Sequence, residues 1–369
     1  MTEAEAGPEK IRLLVVQTKD APTRPHVEKW LESNRLEGFE IEITYSNSIG
    51  DAEKSLSEHE CDLVAIEAIK WYNHNSEERK EMPVATSLPR REESHILVAS
   101  DRPSHIPYKS IILSPNKLKR RQLRRYRADY RVMSPVAFAD TVGMPIPSEE
   151  EGLEMATWLE DLRSSGTING YTLRRHLFDE TKIDTRRHKL MVDPREGETV
   201  RFLPSPLQGL TLLVSRNGFP SYIADLIGDE EAKIAWEYER ILLNSIGKEI
   251  HDRIGLIVRY RQIGSLLKQA ESEKDLMRST SLLDAEGEIQ IPKINEQPVK
   301  YESLIEILIE TMDKTGTRTL LLERLIKKDQ AEISIRFMAN DWETMLNATT
   351  AENLEDPRLG PYRPPFFDI

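Results

Sequence analysis

The stretch that decides the fold runs from residue 201 to residue 216 and reads Arg201-Phe202-Leu203-Pro204-Ser205-Pro206-Leu207-Gln208-Gly209-Leu210-Thr211-Leu212-Leu213-Val214-Ser215-Arg216. Its two prolines fix φ and remove two backbone donors, which predicts a stiff, extended linker. Gly209 allows a close backbone approach, and the apolar run that follows predicts a buried strand. A rigid crossing followed by a buried strand indicates that the chain returns from one lobe into the sheet of another.

The composition is typical of a soluble globular protein with more than one domain. The chain has 369 residues, 38% of them hydrophobic and 31% charged, which predicts two or three domains. The net charge of −12 argues against a generic nucleic-acid binder. The sequence has no run of about 18 apolar residues and no signal-peptide core at its N-terminus. We therefore expect no membrane partner and a cytoplasmic location.

The first part of the chain alternates between expected strands and expected helices. Strands are expected at 11–16, 39–45 and 62–66, with helices at 26–37 and 51–60. This order predicts a parallel sheet with right-handed crossovers.

The later part of the chain is expected to form a second lobe, a third domain and an extension. The expected boundaries are 10–100 with 201–219 for lobe 1, 101–200 for lobe 2, 220–326 for a small α+β domain, and 327–369 for the extension. Residues 301–314 and 317–328 are expected to be helices, and 276–291 suggests strands around a turn. The Pro-rich extension is expected to lie across the surface, and Phe366-Phe367 motivates the hypothesis that it docks an apolar groove.

Several short stretches match one known family in order between residues 10 and 326. They are Leu203-Pro204-Ser205-Pro206-Leu207-Gln208-Gly209, Leu88-Pro89-Arg90-Arg91-Glu92, Gln122-Leu123 with Arg127 and Asp129, Glu239-Arg240-Ile241-Leu242-Leu243 with Ile254-Gly255, and Gly316-Thr317-Arg318. Together they resemble porphobilinogen deaminase, also called hydroxymethylbilane synthase, in a divergent form. The Pro-x-Pro-x-Gln-Gly element is the most specific of them.

The resemblance implies both a fold and a chemistry. The implied fold is α/β, with two periplasmic-binding-protein-like (type II) lobes joined by a double crossover and a small α+β third domain. Enzymes of this family assemble four porphobilinogens into a linear tetrapyrrole on a dipyrromethane cofactor, which a cysteine holds as a thioether. An aspartate handles the protons and arginines hold the acetate and propionate groups, because a guanidinium matches a carboxylate.

The family's cofactor cysteine is replaced in this chain. Counted from Glu239-Arg240, its position falls at Ile250, which cannot form a thioether. Cys61 is the only cysteine, and we expect it to be structural, because no motif places a histidine beside it. We therefore expect no cofactor, and a dipyrromethane only if the chain is an active enzyme.

The family's catalytic aspartate is also replaced. Its position falls at Lys70 or Trp71, depending on a one-residue shift. Glu67 is the only nearby carboxylate that could substitute for it, although a solvated charge is the simpler interpretation. We expect no catalytic residue, with Glu67 and Lys70 as the possible substitutes.

One cationic cluster remains, at the start of a helix in the second lobe. The residues of this cluster that we expect to bind an anion are Lys117, Lys119, Arg120, Arg121 and Arg124, together with Lys70 from the first lobe. The cluster also includes Arg125, Arg127 and Arg131. A helix N-terminus with such a cluster favours an anion, although a solvated basic helix in an acidic protein remains the alternative. A nucleic-acid groove is disfavoured because only Tyr126 and Tyr130 interleave with these cations. The histidines lack ligand spacing, so no metal site is expected.

Two functions therefore stay open. The first is a non-catalytic relative that binds an anionic small molecule or an acidic protein surface in the cleft between the lobes. The second is an active hydroxymethylbilane synthase. A covalent dipyrromethane would distinguish the second from the first.

Overall fold

The architecture comes from a computed structural model that describes residues 9–18, 22–34, 36–74, 82–92, 95–148, 152–181, 183–193, 200–282 and 303–350. The strands are β1 (Glu9–Val16), β2 (Phe39–Ser46), β3 (Leu63–Glu67), β4 (Val84–Ser87), β5 (His95–Ala99), β6 (Ile111–Leu113), β7 (Arg131–Met133), β8 (Gly170–Arg174), β9 (Arg187–Lys189), β10 (Thr211–Ser215), β11 (Ile254–Gln262), β12 (Ser303–Met312) and β13 (Thr319–Ile326).

The helices alternate with these strands through both lobes and then flank the last sheet. They are α1 (Thr23–Ser33), α2 (Ile49–Ser57), α3 (Ala68–Asn73), α4 (Lys117–Tyr126), α5 (Pro135–Val142), α6 (Leu153–Ser164), α7 (Arg175–Thr181), α8 (Ser221–Ile227), α9 (Glu230–Asn244), α10 (Ile263–Glu273), α11 (Leu276–Ser281) and α12 (Ala331–Thr350).

Lobe 1 is built on a five-stranded mixed sheet in the order β2-β1-β3-β10-β4. β1 pairs in parallel with β2 and β3, as the strand–helix alternation predicts. β10 enters antiparallel between β3 and β4. Every residue of β3 and β10 is buried, which explains why both read as continuous apolar runs. The prediction that the 201–216 stretch returns into an earlier sheet is confirmed.

Lobe 2 repeats the same arrangement in the order β7-β6-β8-β5-β9. β6 is parallel to β7 and β8, and β5 is antiparallel to β8 and β9. In each lobe the antiparallel fourth strand is the one that the chain enters directly after crossing from the other lobe. Each lobe therefore contains one strand that follows a crossover from the other lobe, which is the arrangement of two periplasmic-binding-protein-like (type II) lobes. The predicted fold class is confirmed.

The third domain is an antiparallel sheet, β11-β12-β13, flanked by helices. The prediction of helices at 301–314 and 317–328 is wrong, because these segments form β12 and β13. Glu306 and Glu310, four residues apart, share a face in a helix and also in a strand, so their spacing could not separate the two structures. The 276–291 prediction also fails where it can be compared, since α11 occupies 276–281, and the expected turn lies outside the described residues.

The start of the predicted surface extension is instead a helix of the third domain. α12 spans 331–350 and packs on α9, and Ile335, Met338 and Trp342 are fully buried. An apolar helical period, rather than the later prolines, decides the structure of this segment. Phe366 and Phe367 lie outside the described residues, so the docking hypothesis for the tail stays a prediction.

One continuous core joins lobe 1 to the third domain. It includes Trp71 from lobe 1 and Trp236, Ile309 and Trp342 from the third domain. The core of lobe 2 consists of separate clusters, in which Leu159 and Tyr171 are fully buried. The third domain is therefore fused to lobe 1 by apolar packing.

Candidate functional site

A cavity of about 300 Å³ lies where the two crossovers, lobe 2 and the third domain meet. The crossovers contribute most of its wall, α4 and β5 contribute one side chain each, and β11 closes it from the third domain. Its lining residues are Arg90, Arg91, Glu92, His95, Lys119, Leu190, Met191, Val192, Asp193, Phe202, Pro204, Gln208, Ile257 and Arg259.

The lining of this cavity has the character of a small-ligand site. Four of its side chains are lysine or arginine and two are carboxylates. Apolar surface comes from residues such as Met191, Phe202 and Ile257. A mostly apolar wall with a few charged groups is typical of small-molecule pockets, and the volume is at the lower end of their range.

The two crossovers approach each other closely beside the cavity. The Arg91 amide donates to the Gly209 carbonyl at 3.0 Å, and the Arg90 Nε donates to the Gln208 carbonyl at 2.9 Å. Gly209 has a φ of +82°, and a Cβ there would lie 2.5 Å from the Arg91 carbonyl oxygen. Only glycine fits this position without displacing the backbone, which confirms the close approach expected from the sequence.

A buried ion pair ties both crossovers to the third domain. Arg90 Nη1 donates to Glu239 on α9 at 2.5 Å, and Glu239 is fully buried. The same carboxylate accepts from the amides of Leu207 at 2.6 Å and Val258 at 3.0 Å. Because each oxygen of Glu239 has a donor, the desolvation cost of this charge is offset where the three units meet.

Lys119 brings a buried amine to the cavity wall. Its side chain is 1% exposed, and Nζ donates to the Leu203 carbonyl at 2.6 Å and to Gln122 Oε1 at 2.8 Å. Burial lowers the pKa of Lys119 to about 7, although Glu310 opposes the shift. The amine is therefore partly neutral near neutral pH.

His95 brings a neutral imidazole to the same wall. It is 4% exposed, at the start of β5. Burial, followed by the charges of Lys119 and Arg174, lowers the pKa of His95 well below 6.5. Its buried Nδ1 has no hydrogen-bond partner among the described residues.

An arginine fork forms the wall that β11 provides. Arg259 Nη1 and Nη2 donate to the two oxygens of Asp193 at 2.8 and 2.6 Å, and Arg261 donates to Asp193 at 3.0 Å. Behind them, the fully buried Glu306 accepts from Arg259 Nε at 2.6 Å. These guanidinium groups hold the pKa of Asp193 below its usual range, although burial alone would raise it.

The structure brings only one of the predicted anion-binding cations to this cavity. Lys119 lines it, whereas Arg120 donates to the Ser114 and Pro115 carbonyls at 2.7 and 2.6 Å. Arg121 donates to the Met312 carbonyl and Arg124 to the Lys314 carbonyl of the β12–β13 turn. Lys117 forms an ion pair with Asp252.

The basic helix is therefore an interface element. A Cβ on Gly316 in the β12–β13 turn would lie 2.6 Å from the Arg125 amide nitrogen, so the turn packs directly on α4. Arg121 and Arg124 therefore donate to the third domain instead of standing free in a cleft or in solvent, and anion binding by the predicted cluster stays a prediction. The sequence could not show the contact with the third domain, because the carbonyls that accept from Arg121 and Arg124 lie 191 and 190 residues further along the chain.

Glu67 and Lys70 stand apart from the cavity. Glu67 is 2% exposed at the end of β3, and Lys70 follows it on α3. Neither lines the cavity. The structure therefore does not bring Lys70 together with Lys119, and the use of either residue as a catalytic substitute stays a prediction.

Ile250, the position that the resemblance equates with a cofactor cysteine, lies between the lobes but offers no attachment chemistry. Ile250 is 7% exposed in the 3₁₀ turn Lys248–Arg253, where it joins the core shared with lobe 1. The next residue, His251, has its ring centroid 6.0 Å from that of Tyr72 in lobe 1. Cys61 is 2% exposed, and burial raises the pKa of its thiol to about 11. Ile250 and Cys61 do not fit a thioether-linked dipyrromethane, because Ile250 has no sulfur and the buried Cys61 does not supply a thiolate.

Several of the cavity residues are not identified in the sequence analysis, although the sequence contains a signal for some of them. Arg90, Arg91 and Gln208 stand inside the two stretches quoted for the family resemblance. Because both stretches belong to crossovers between the lobes, the place where they meet is a site that the sequence could indicate. His95 and Arg259 carried no such signal, because their place depends on how the third domain packs.

Two further properties concern the described residues only. Within them, no helix is both long and apolar enough to cross a membrane. No group of three or more His, Cys, Asp or Glu side chains in this part of the chain is placed to hold a metal ion.

Comparison with known proteins yields structural likeness alone. No protein-family model matches the sequence, and no curated protein matches it. Similar solved structures include an ABC transporter protein of Parabacteroides distasonis (15% identity, 60% of this chain and 71% of that chain, TM-score 0.34). They also include the zinc-bound ligand-binding component of an ABC-type import system from Staphylococcus aureus (12%, 64% and 72%, 0.30), and a mutant OxyR2 regulatory domain from Vibrio vulnificus (9%, 62% and 96%, 0.30). At these identities and TM-scores the likeness carries no argument about function.

Proposed function

We propose that the protein is a non-catalytic relative of porphobilinogen deaminase that binds an anionic small molecule in the cavity between its crossovers. The observation that carries this proposal is the cavity of about 300 Å³, which is lined by three arginines and the partly neutral Lys119 against two carboxylates. A guanidinium group matches the geometry of a carboxylate or phosphate, and low-dielectric walls strengthen the attraction.

The family relation is supported by where the quoted stretches lie. Residues 88–92 and 203–209 form parts of the two crossovers, and they touch at Arg91 and Gly209. The absence of catalysis is supported by Ile250, which has no thiol to hold a pyrrole chain. An acidic protein partner receives less support, because Arg121 and Arg124 already donate to carbonyls of the third domain.

The proposal is tested by titrating the purified protein with a panel of small anions, namely phosphate, succinate, glutarate and citrate, in a calorimeter. We expect at least one of them to bind, and we expect the binding to weaken at least tenfold in R259Q. The matched control is R187Q, since Arg187 pairs with Asp179 on the exposed surface of lobe 2 at 2.6 Å. Failure of every anion to bind, or equal loss in the control, would refute the proposal.

An active hydroxymethylbilane synthase remains the second candidate. The turn at 248–253, equivalent to the family's cofactor loop, contacts both lobes, because Asp252 pairs with Lys117 of lobe 2 and His251 lies beside Tyr72 of lobe 1. Intact mass and Ehrlich's reagent test this candidate. An adduct with the mass of a dipyrromethane would establish it, and an unmodified chain would remove it.

A further inference from the structure

The contact between Asp193 and β11 has the geometry of a bound carboxylate ligand. Both Asp193 oxygens face the two terminal nitrogens of Arg259 at 2.6 and 2.8 Å, and Arg261 adds a third donor at 3.0 Å. Asp193 and Arg259 are both lining residues of the cavity. A fork-to-fork arrangement of this kind is the strongest way in which an arginine binds a carboxylate.

The two arginines are held in place without help from Asp193. Glu306 accepts from Arg259 Nε at 2.6 Å and also lies 3.4 Å from Arg261 Nη1. Gln269 accepts from Arg261 Nη2 at 2.9 Å. Glu306 uses only the Nε of Arg259, so the two terminal nitrogens remain available on the cavity side. We therefore expect the guanidinium group to keep its orientation when Asp193 moves away.

Asp193 is the member of this group that can leave most easily. Its side chain is 41% exposed, whereas those of Arg259 and Arg261 are 21% and 11% exposed and that of Glu306 is fully buried. An exposed carboxylate regains water when it rotates outward, so its displacement costs less than that of a buried one. A ligand carboxylate would then restore the charge balance of the fork.

We propose that the Arg259–Arg261 fork is the carboxylate subsite of the cavity and that Asp193 occupies it as an internal stand-in for the ligand. The ligand is a small molecule with at least one carboxylate, which replaces Asp193 on the fork. Asp193 thereby competes with the ligand and lowers its apparent affinity. The inference rests on the proposed anion-binding function, which it extends to a ligand class and a mode of competition.

The test is a calorimetric titration with succinate of the full chain and its D193A variant. We expect D193A to bind succinate about tenfold or more tightly than the unaltered protein, because the competitor is gone. The double variant D193A/R259Q should lose that gain. The matched control is D179A, which removes an exposed carboxylate from Arg187 in lobe 2 and should leave the affinity unchanged.

The outcomes separate this inference from the proposed function. If the unaltered protein binds an anion of the panel and D193A binds succinate no more tightly, the inference is overturned while the proposed function stands. If no variant binds any anion, both fail. A gain that persists in D193A/R259Q overturns the placement of the subsite. Circular dichroism checks folding, and D193N, which keeps the shape without the charge, replaces D193A if that variant unfolds.

Discussion

Glu239 is the residue on which the junction of the three units most depends. Its carboxylate is fully buried and receives Arg90 and two backbone amides, one from the returning crossover and one from β11. A buried carboxylate with every oxygen bonded specifies one relative placement of the segments that bind it.

We expect E239Q to destabilise the protein by about 3 kcal/mol, because it leaves Arg90 without its counter-ion in a buried site. Urea unfolding at constant pH measures the change. E237Q, on the same helix but only half-buried, is the control and should stay within about 0.5 kcal/mol of the unaltered protein. An equal effect of both substitutions would contradict the role given to the pair.

Lys119 predicts a particular dependence of stability on pH. Burial lowers the pKa of Lys119 to about 7 in the folded protein, while the unfolded chain keeps the ordinary value of about 10.4. Between these values the unfolded state binds more protons, so stability rises with pH. The cost of the buried ammonium is complete below the folded pKa and is relieved above it.

K119M removes this titration. Between about pH 7 and about pH 9.5 the unaltered protein should gain about 3 kcal/mol relative to K119M. Urea unfolding of both proteins across this window measures the difference, and the window avoids His95, whose pKa lies well below 6.5. Parallel stability curves would show that Lys119 stays charged in the fold.

At the scale of elements, the crossing of residues 88–92 and 203–209 requires a glycine. In G209A the alanine Cβ would lie 2.5 Å from the Arg91 carbonyl oxygen, and its φ of +82° would be strained. We therefore expect the free energy of unfolding to fall by about 3 kcal/mol or more. Gly218 is the matched control, since its φ is +77° with no atom within 4 Å of a Cβ. G218A should cost about 1 kcal/mol, and equal losses in urea unfolding would refute the close crossing.

Some strands can be predicted from the sequence and others cannot. The strands β1, β3 and β10 could be predicted from their apolar runs, because strands covered on both faces are apolar throughout. The strand β12 is not predictable in this way, because the spacing of Glu306 and Glu310 fits a helix as well as a strand, and their arginine partners lie far away in the sequence or on another strand. The local hydrophobic pattern predicts whether a segment is a helix or a strand only where its charged residues are not buried by partners far away in the sequence.

The candidate site was less predictable than the fold for the same reason. Lys119 belongs to the predicted basic cluster, but Arg120, Arg121 and Arg124 of that cluster bind backbone carbonyls of their own lobe or of the third domain. Lys117 and Arg125 form ion pairs with carboxylates of the third domain. His95, Asp193 and Arg259 come together only through the packing of three units. A single sequence contains no record of such contacts.

At the scale of the whole molecule, lobe 1 and the third domain should unfold together because they share one core. Trp342 lies in that core and is fully buried, so W342A should cost about 3–5 kcal/mol. Hydrogen exchange should accelerate by similar factors in β3 of lobe 1 and β12 of the third domain. F337A, at a site on the same helix that is 61% exposed, is the control. Faster exchange in β12 alone would show two independent cores.

The double crossover also shapes what the molecule can do as a whole. Arg90 ties the crossovers to α9, and Arg125 of lobe 2 pairs with the buried Glu310 of β12 at 2.6 Å. The third domain therefore contacts both lobes through charged pairs beside the cavity. We expect a ligand to bind between units already held in place, with small local displacements rather than wide closure of the lobes.

The most direct measurement is a crystal structure of the protein with the anion of the panel that binds most tightly. The account predicts ligand density in the cavity between the crossovers, with a carboxylate within hydrogen-bond distance of Arg259 and Asp193 turned toward solvent. Density at Glu67 and Lys70 instead, or an empty cavity at saturating ligand, would contradict it.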